Sequence, residues 1–124
     1  MKSNIVSVSV LKERLINNQR SKDKPLFEES IYLIEIDLHE KEKKEILVEI
    51  KKLLEKVELT YKNENGEDIS WKIYKIIDIF DNIYNLEVSE FPNEVYSRHL
   101  ELPSGSNYQD VLQKFYSDYV WEDN

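Results

Sequence analysis

The chain begins with a strict alternation, in which Val6, Val8 and Val10 are separated by Ser7 and Ser9. A period of two predicts a half-buried strand over Ile5 to Leu15. The polar run from Asn17 to Pro25 breaks that period and reads as an exposed loop. Apolar residues then return on both faces of Leu26 to Asp37, with Ile31 and Leu33 set against Tyr32, Ile34 and Ile36. This second strand is expected to be central, covered on each side, and paired antiparallel to the first through the polar loop. From about His39 to Val57 the period lengthens. Ile46, Leu47, Ile50, Leu53, Leu54 and Val57 form one helical stripe, with Asp37 as the expected N-cap and Lys51, Lys52 and Lys56 at the end that favours cations. Its alternating outer charges read as a solvated face.

The second half starts with a short strand, Leu59 to Lys62, and a turn from Asn63 to Glu67 in which Gly66 can take positive φ. Ile69, Trp71 and Ile73 alternate with polar residues, but the apolar side switches at Ile76 and Ile77, which predicts a bulge near Lys75–Ile77. Asp81 to Glu90 fits a loop, a short helix or a strand. Glu94 to Leu102 reads as a strand with Val95, Ser97 and His99 on one face and Tyr96, Arg98, Leu100 and Leu102 on the other. Pro103 to Asn107 ends it and leads into a helix from about Tyr108 to Tyr119. That helix has the stripe Tyr108, Val111, Leu112, Phe115, Tyr116 and Tyr119, and Asn107 as its cap. The order ββ-α-βββ-α predicts one α+β domain over residues 1–124, an antiparallel sheet of about five strands with two amphipathic helices.

Several of these segments resemble a bacterial family catalogued as domain of unknown function 4288. They are Phe27 to Glu35, Tyr61-Lys62-Asn63 with Gly66-Glu67 and Trp71, Glu94-Val95-Tyr96-Ser97-Arg98, and the later Pro103 and Phe115-Tyr116. The resemblance runs from Leu26 onward. The first strand departs from it, with Ile5-Val6-Ser7-Val8 where an aromatic pair is expected. It implies the α+β fold and a bacterial origin, and no activity.

Composition narrows the functional classes. A chain 40% hydrophobic and 34% charged belongs to neither a disordered tail nor a membrane protein, and no apolar run approaches the roughly 20 residues that span a bilayer. The N-terminus lacks the apolar run and cleavage site of a signal peptide, and cysteine is absent, so a cytoplasmic location is expected. The net charge of −8 is unevenly spread. Residues 1–39 are neutral, residues 40–56 carry +1, and residues 57–124 carry −9. Such a surface disfavours nucleic acid and anionic membranes and favours a basic protein partner.

Recognisable chemistry is sparse. His39 and His99 have no metal-ligand spacing, no GxSxG-like turn is present, and two glycines cannot build a phosphate-cradling loop. Carboxylate pairs such as Glu28-Glu29 are expected by chance among 25 acids. No catalytic residue, metal or cofactor is therefore expected. The candidate partner-binding residues fall in two groups. Tyr96 and Arg98 share a strand face and belong to residue types enriched at binding hot spots; the competing structural reading puts Arg98 in a cross-strand ion pair and Tyr96 in the core. Asp118, Tyr119, Trp121, Glu122 and Asp123 form an aromatic and acidic C-terminal cluster, in which Trp121 lies beyond the helix and is expected to be exposed. The leading expectation is a non-enzymatic inhibitor, such as a bacterial immunity protein that neutralises a basic toxin. A nucleic-acid-mimicking inhibitor of a defence enzyme, a small enzyme and a self-associating module are the alternatives.

Overall fold

The computed structural model describes residues 4–21, 23–57, 60–80 and 92–123. The fold is α+β, with a curled sheet ordered β4-β5-β1-β3-β6 in which every described pairing is antiparallel. Its strands are β1 (Asn4–Ile16), β2 (Gln19–Arg20), β3 (Phe27–Ile36), β4 (Tyr61–Lys62), β5 (Asp68–Phe80) and β6 (Asn93–Leu100). The helices are α1 (Lys43–Leu54), followed by a 3-10 turn at Glu55–Val57, and α2 (Tyr108–Phe115), followed after a short extended stretch by a 3-10 turn at Trp121–Asp123. The ambiguous segment Asp81 to Glu90, and Leu59 at the expected start of β4, lie outside the described residues.

The alternation of β1 places two cores on opposite faces of one sheet. Val6, Val8 and Val10 join Tyr32, Ile34, Ile36 and Ile76 beneath Ile50 and Leu54 of α1. Leu11 joins Phe27, Ile77 and Leu100 beneath Val111 of α2. Burial of each such side chain contributes about 1.5–3 kcal/mol relative to exposure. β1 is therefore central and covered on both faces, not half-buried as its valine–serine alternation suggests. Two register shifts in β5 match the expected change of side. Ile77 is the extra residue between the pairs Ser9–Asp78 and Val10–Ile76, and Tyr74 is extra between Leu11–Lys75 and Lys12–Ile73. The first lets Ile76 and Ile79, three residues apart, share the α1 core, while Ile77 enters the other one.

Three local boundaries differ from the sequence pattern. Asn17 and Asn18, with φ of 51° and 62°, make a two-residue turn that pairs β2 back onto β1, where an open loop is expected. The helix α1 starts at Lys43, because Asp37 instead accepts the backbone N–H of His39 at 2.9 Å and Glu40 turns left-handed at φ 55°. The helix α2 opens on a capping box between Asn107 and Asp110, as expected, but stops at Phe115. Beyond it Val120 is buried in the α2 core while Trp121 packs against the α1 core. The chain thus crosses the outer edge of β5 from one face of the sheet to the other.

Candidate functional site

The strand register assembles three polar clusters. Lys12 and Glu13, neighbours on β1, point to opposite faces and are both buried. Lys12 lies directly across from Glu28 on β3. Its Nζ donates to Tyr32 Oη at 2.9 Å, lies 3.3 Å from both Glu28 Oε1 and Glu94 Oε2, and sits 5.1 Å from the Trp71 ring centre. Glu28 is further held by Ser30 Oγ at 3.1 Å and His99 Nε2 at 3.1 Å. Burial pulls the Lys12 ammonium down. The hydrogen bond to Tyr32 and the Glu94 and Glu28 carboxylates more than offset it, so the lysine is held charged, above its usual value. Burial pushes the Tyr32 phenol up and keeps it neutral. Set between the Glu28 and Glu94 carboxylates, Lys12 is their shared counter-charge.

On the opposite face Glu13 is fully enclosed. It accepts from Arg20 Nε at 2.8 Å and from Tyr74 Oη at 2.8 Å, while Arg20 Nη2 donates to the Ser106 carbonyl at 2.7 Å. Tyr74 stacks on Tyr108 with ring centres 4.4 Å apart, so one carboxylate ties the β1–β2 turn and β5 to the start of α2. Burial and the adjacent Glu13 push the Tyr74 phenol up to about 12. The third cluster joins β6 to the end of α2. Arg98 Nε donates to Glu29 Oε1 at 3.1 Å, the Tyr116 hydroxyl donates to Glu29 Oε2, and the Arg98 guanidinium lies 5.9 Å from the Phe115 ring centre. Arg14 Nε is buried without a hydrogen-bond partner among the described residues.

The candidate residues from the sequence separate onto the two edges of the sheet. Arg98 makes the cross-strand ion pair with the residue opposite it, Glu29. Tyr96, on the same strand face, is not in the core; it is 47% exposed, beside Val95 at 52%. Phe115, which the helical stripe assigns to the core, is 36% exposed and flanks Arg98. Tyr96, Arg98 and Phe115, with the bulged Val95 beside Tyr96, therefore form a largely apolar surface at the β6 edge, in which the Arg98 charge is met by Glu29. Phe115 and Val95 are the members that sequence reasoning missed. No local signal set Phe115 apart, since it stands in the same i, i+4 stripe as Val111 and the stripe does not say where the helix stops.

At the other edge the expectation of an exposed Trp121 is overturned. Trp121 is half-buried against the α1 core, with Lys43 Nζ 4.8 Å from its ring centre. Glu122 Oε1 accepts the Ile76 backbone N–H at 3.2 Å, and its carboxylate pairs with Lys51 and Lys75, each at 3.5 Å. Asp123 accepts from Lys75 at 2.6 Å. These three residues seal the β5 edge, and their aromatic and charged groups are occupied within the chain. Asp118 and Tyr119, on the crossing segment, are exposed.

Among the described residues no group of three or more His, Asp or Glu side chains converges as a metal site, and no helix is long and apolar enough to cross a membrane. A hollow of about 350 Å³ beyond the end of β6 is lined by Asp23, Lys24, His99 and Glu101 with Leu26 and Leu102. Comparison of the chain with family models, curated proteins and solved structures finds no significant match to any of them.

Proposed function

We propose that this chain is a small acidic protein-binding domain acting in the cytoplasm, most concretely an inhibitor of the immunity-protein type that covers a basic toxin. The observation that supports this is the exposed cluster of Val95, Tyr96, Arg98 and Phe115 on a protein of net charge −8. Tyrosine, phenylalanine and arginine grouped at the surface are the residue types that anchor protein interfaces. Glu13, Glu28, Glu29 and Glu122 are bound internally. The surface that stands out is aromatic, on a chain of net charge −8. The field of that charge speeds encounter with a basic partner, and the aromatic surface holds it.

The test is to immobilise the intact chain, recover what it retains from the source cells, and assay the retained protein with and without added chain. A basic enzyme is expected, with its activity lowered by the wild type. The double variant Tyr96→Ala, Phe115→Ala, folded by circular dichroism, is expected to lose both retention and inhibition. Retention that the variant leaves intact, or a retained enzyme whose activity does not change, would overturn the reading.

A further inference from the structure

The two outer strands of the sheet are finished differently. β4 covers β5 only at Asp68 and Ile69. Further along, the 3-10 turn at Trp121–Asp123 docks against β5, and the Glu122 carboxylate takes the Ile76 N–H. An exposed strand edge is a template for another strand, and a covering turn with a side-chain cap is one way of closing it. β6 has no such cover among the described residues. Among the described residues no strand pairs along its outer side, Glu94 to His99 are all exposed, and its bulged residue, Val95, lies near its start. From Tyr96 to Leu100 it pairs with β3 without interruption, which leaves a regular five-residue edge.

A strand laid on that edge would meet different chemistry on its two faces, because side chains alternate along β6. One face offers the Tyr96 ring, and Arg98 with Phe115 beneath it. The Arg98 charge is already matched by Glu29, so this face favours apolar side chains. The other offers Glu94, Ser97 and His99, with the Glu28 carboxylate bonded to His99. On the Glu94 face two carboxylates, Glu28 and Glu94, share the one cation Lys12, which leaves that face acidic, whereas on the Tyr96 face Glu29 is met by Arg98 and Lys114 lies over the Phe115 ring.

We propose that β6 takes an extended segment of the partner as an added strand, a segment in which apolar residues lying on Tyr96 and Phe115 alternate with basic residues facing Glu94. The inference rests on the protein-binding reading and specifies how the partner is held. Main-chain hydrogen bonds to the β6 edge would supply affinity, and the alternation would supply selectivity.

The experiment uses the full ¹⁵N-labelled chain and three capped synthetic octapeptides. One alternates lysine and valine, one alternates glutamate and valine, and the third is the lysine–valine peptide N-methylated at every second residue. The first is expected to slow hydrogen exchange at alternate amides between Tyr96 and Leu100 by about tenfold or more, while β5 amides stay unchanged. Tyr96→Ala is expected to weaken its binding at unchanged melting temperature. The acidic peptide is expected not to bind, and the methylated peptide, which lacks the edge N–H groups, to fail as well. Equal binding of the methylated peptide, unchanged exchange on β6, or concentration-dependent protection of β6 without peptide would each overturn the proposal; the last would mean that a second copy occupies the edge. Failure of the functional reading is distinguishable. An enzyme inhibited without β6 protection removes only the strand addition, and β6 protection by the peptide without any inhibited enzyme removes only the inhibitor role.

Discussion

Lys12 and Glu13 show how one dipeptide on a central strand can serve two faces. Each is a charge that would be costly to bury alone; Lys12 is enclosed by partners from β3, β5 and β6, and Glu13 by partners from β2 and β5. None of those pairings is legible from local pattern, because register, not spacing along the chain, brings Glu28 opposite Lys12 and Tyr74 to Glu13. Tyr74 makes this network measurable. Its phenol ionises near 10.0 in an unfolded chain and at about 12 when folded, because burial and the Glu13 carboxylate disfavour the phenolate. Below pH 10 both states keep the proton and the stabilisation is complete. Between pH 10 and 12 the unfolded chain releases the proton while the folded one retains it, so stability falls as pH rises through the folded value. Tyr74→Phe is expected to be less stable at pH 7 by about 1.5 kcal/mol, the scale of a hydrogen bond to a charged acceptor. It has no such proton to release, so its deficit should shrink in urea melts at pH 11. A deficit equal at the two pH values would remove Glu13 and Tyr74 from the account.

At the scale of elements, periodicity read strongly where burial is one-sided and failed where local chemistry or distant docking decides. The stripe Ile46, Leu47, Ile50, Leu53 and Leu54 located α1, and the side switch at Ile76–Ile77 located a bulge. The turn at Asn17–Asn18 was hidden because two asparagines suit an open loop as well as a left-handed pair. The stripe of α2 carried on to Tyr119 because apolar spacing continues through Val120 and Trp121, although these two residues serve different faces of the sheet. Of the candidate surface, Tyr96 and Arg98 were legible as a strand pair, whereas Trp121 was misread because closure of a strand edge is a tertiary event. Glu122→Ala tests that closure. Losing the cap on the Ile76 N–H together with the pairs to Lys51 and Lys75 is expected to lower stability by about 1–2 kcal/mol and to speed exchange of the Ile76 amide. Asp118→Ala should change neither. An unaltered Ile76 amide in Glu122→Ala would mean that the edge is closed by packing of Trp121 alone.

For the whole molecule, the question is which acids remain free to act at a distance. The C-terminal carboxylates differ sharply in this respect. Glu122 and Asp123 are neutralised by Lys51 and Lys75, whereas Asp118 is exposed and makes no ion pair among the described residues. Electrostatic steering depends on the summed field of unneutralised charge and acts chiefly on the encounter, leaving the bound state little changed. Asp118→Lys raises the net charge by two without touching an internal bond. Its association with the basic enzyme retained by the wild type is therefore expected to be slower by roughly twofold to fivefold at low ionic strength. Dissociation and melting temperature should stay unchanged. Because the screening length shortens to about 3 Å at 1 M salt, the two association rates should converge there. Glu122→Lys makes the same formal change in charge but breaks the β5 edge cap, so its effect should appear first as lost stability. If Asp118→Lys associates at the wild-type rate across the salt series, Asp118 does not contribute to the steering field. If instead the deficit persists at 1 M salt, the residue belongs to the contact surface itself.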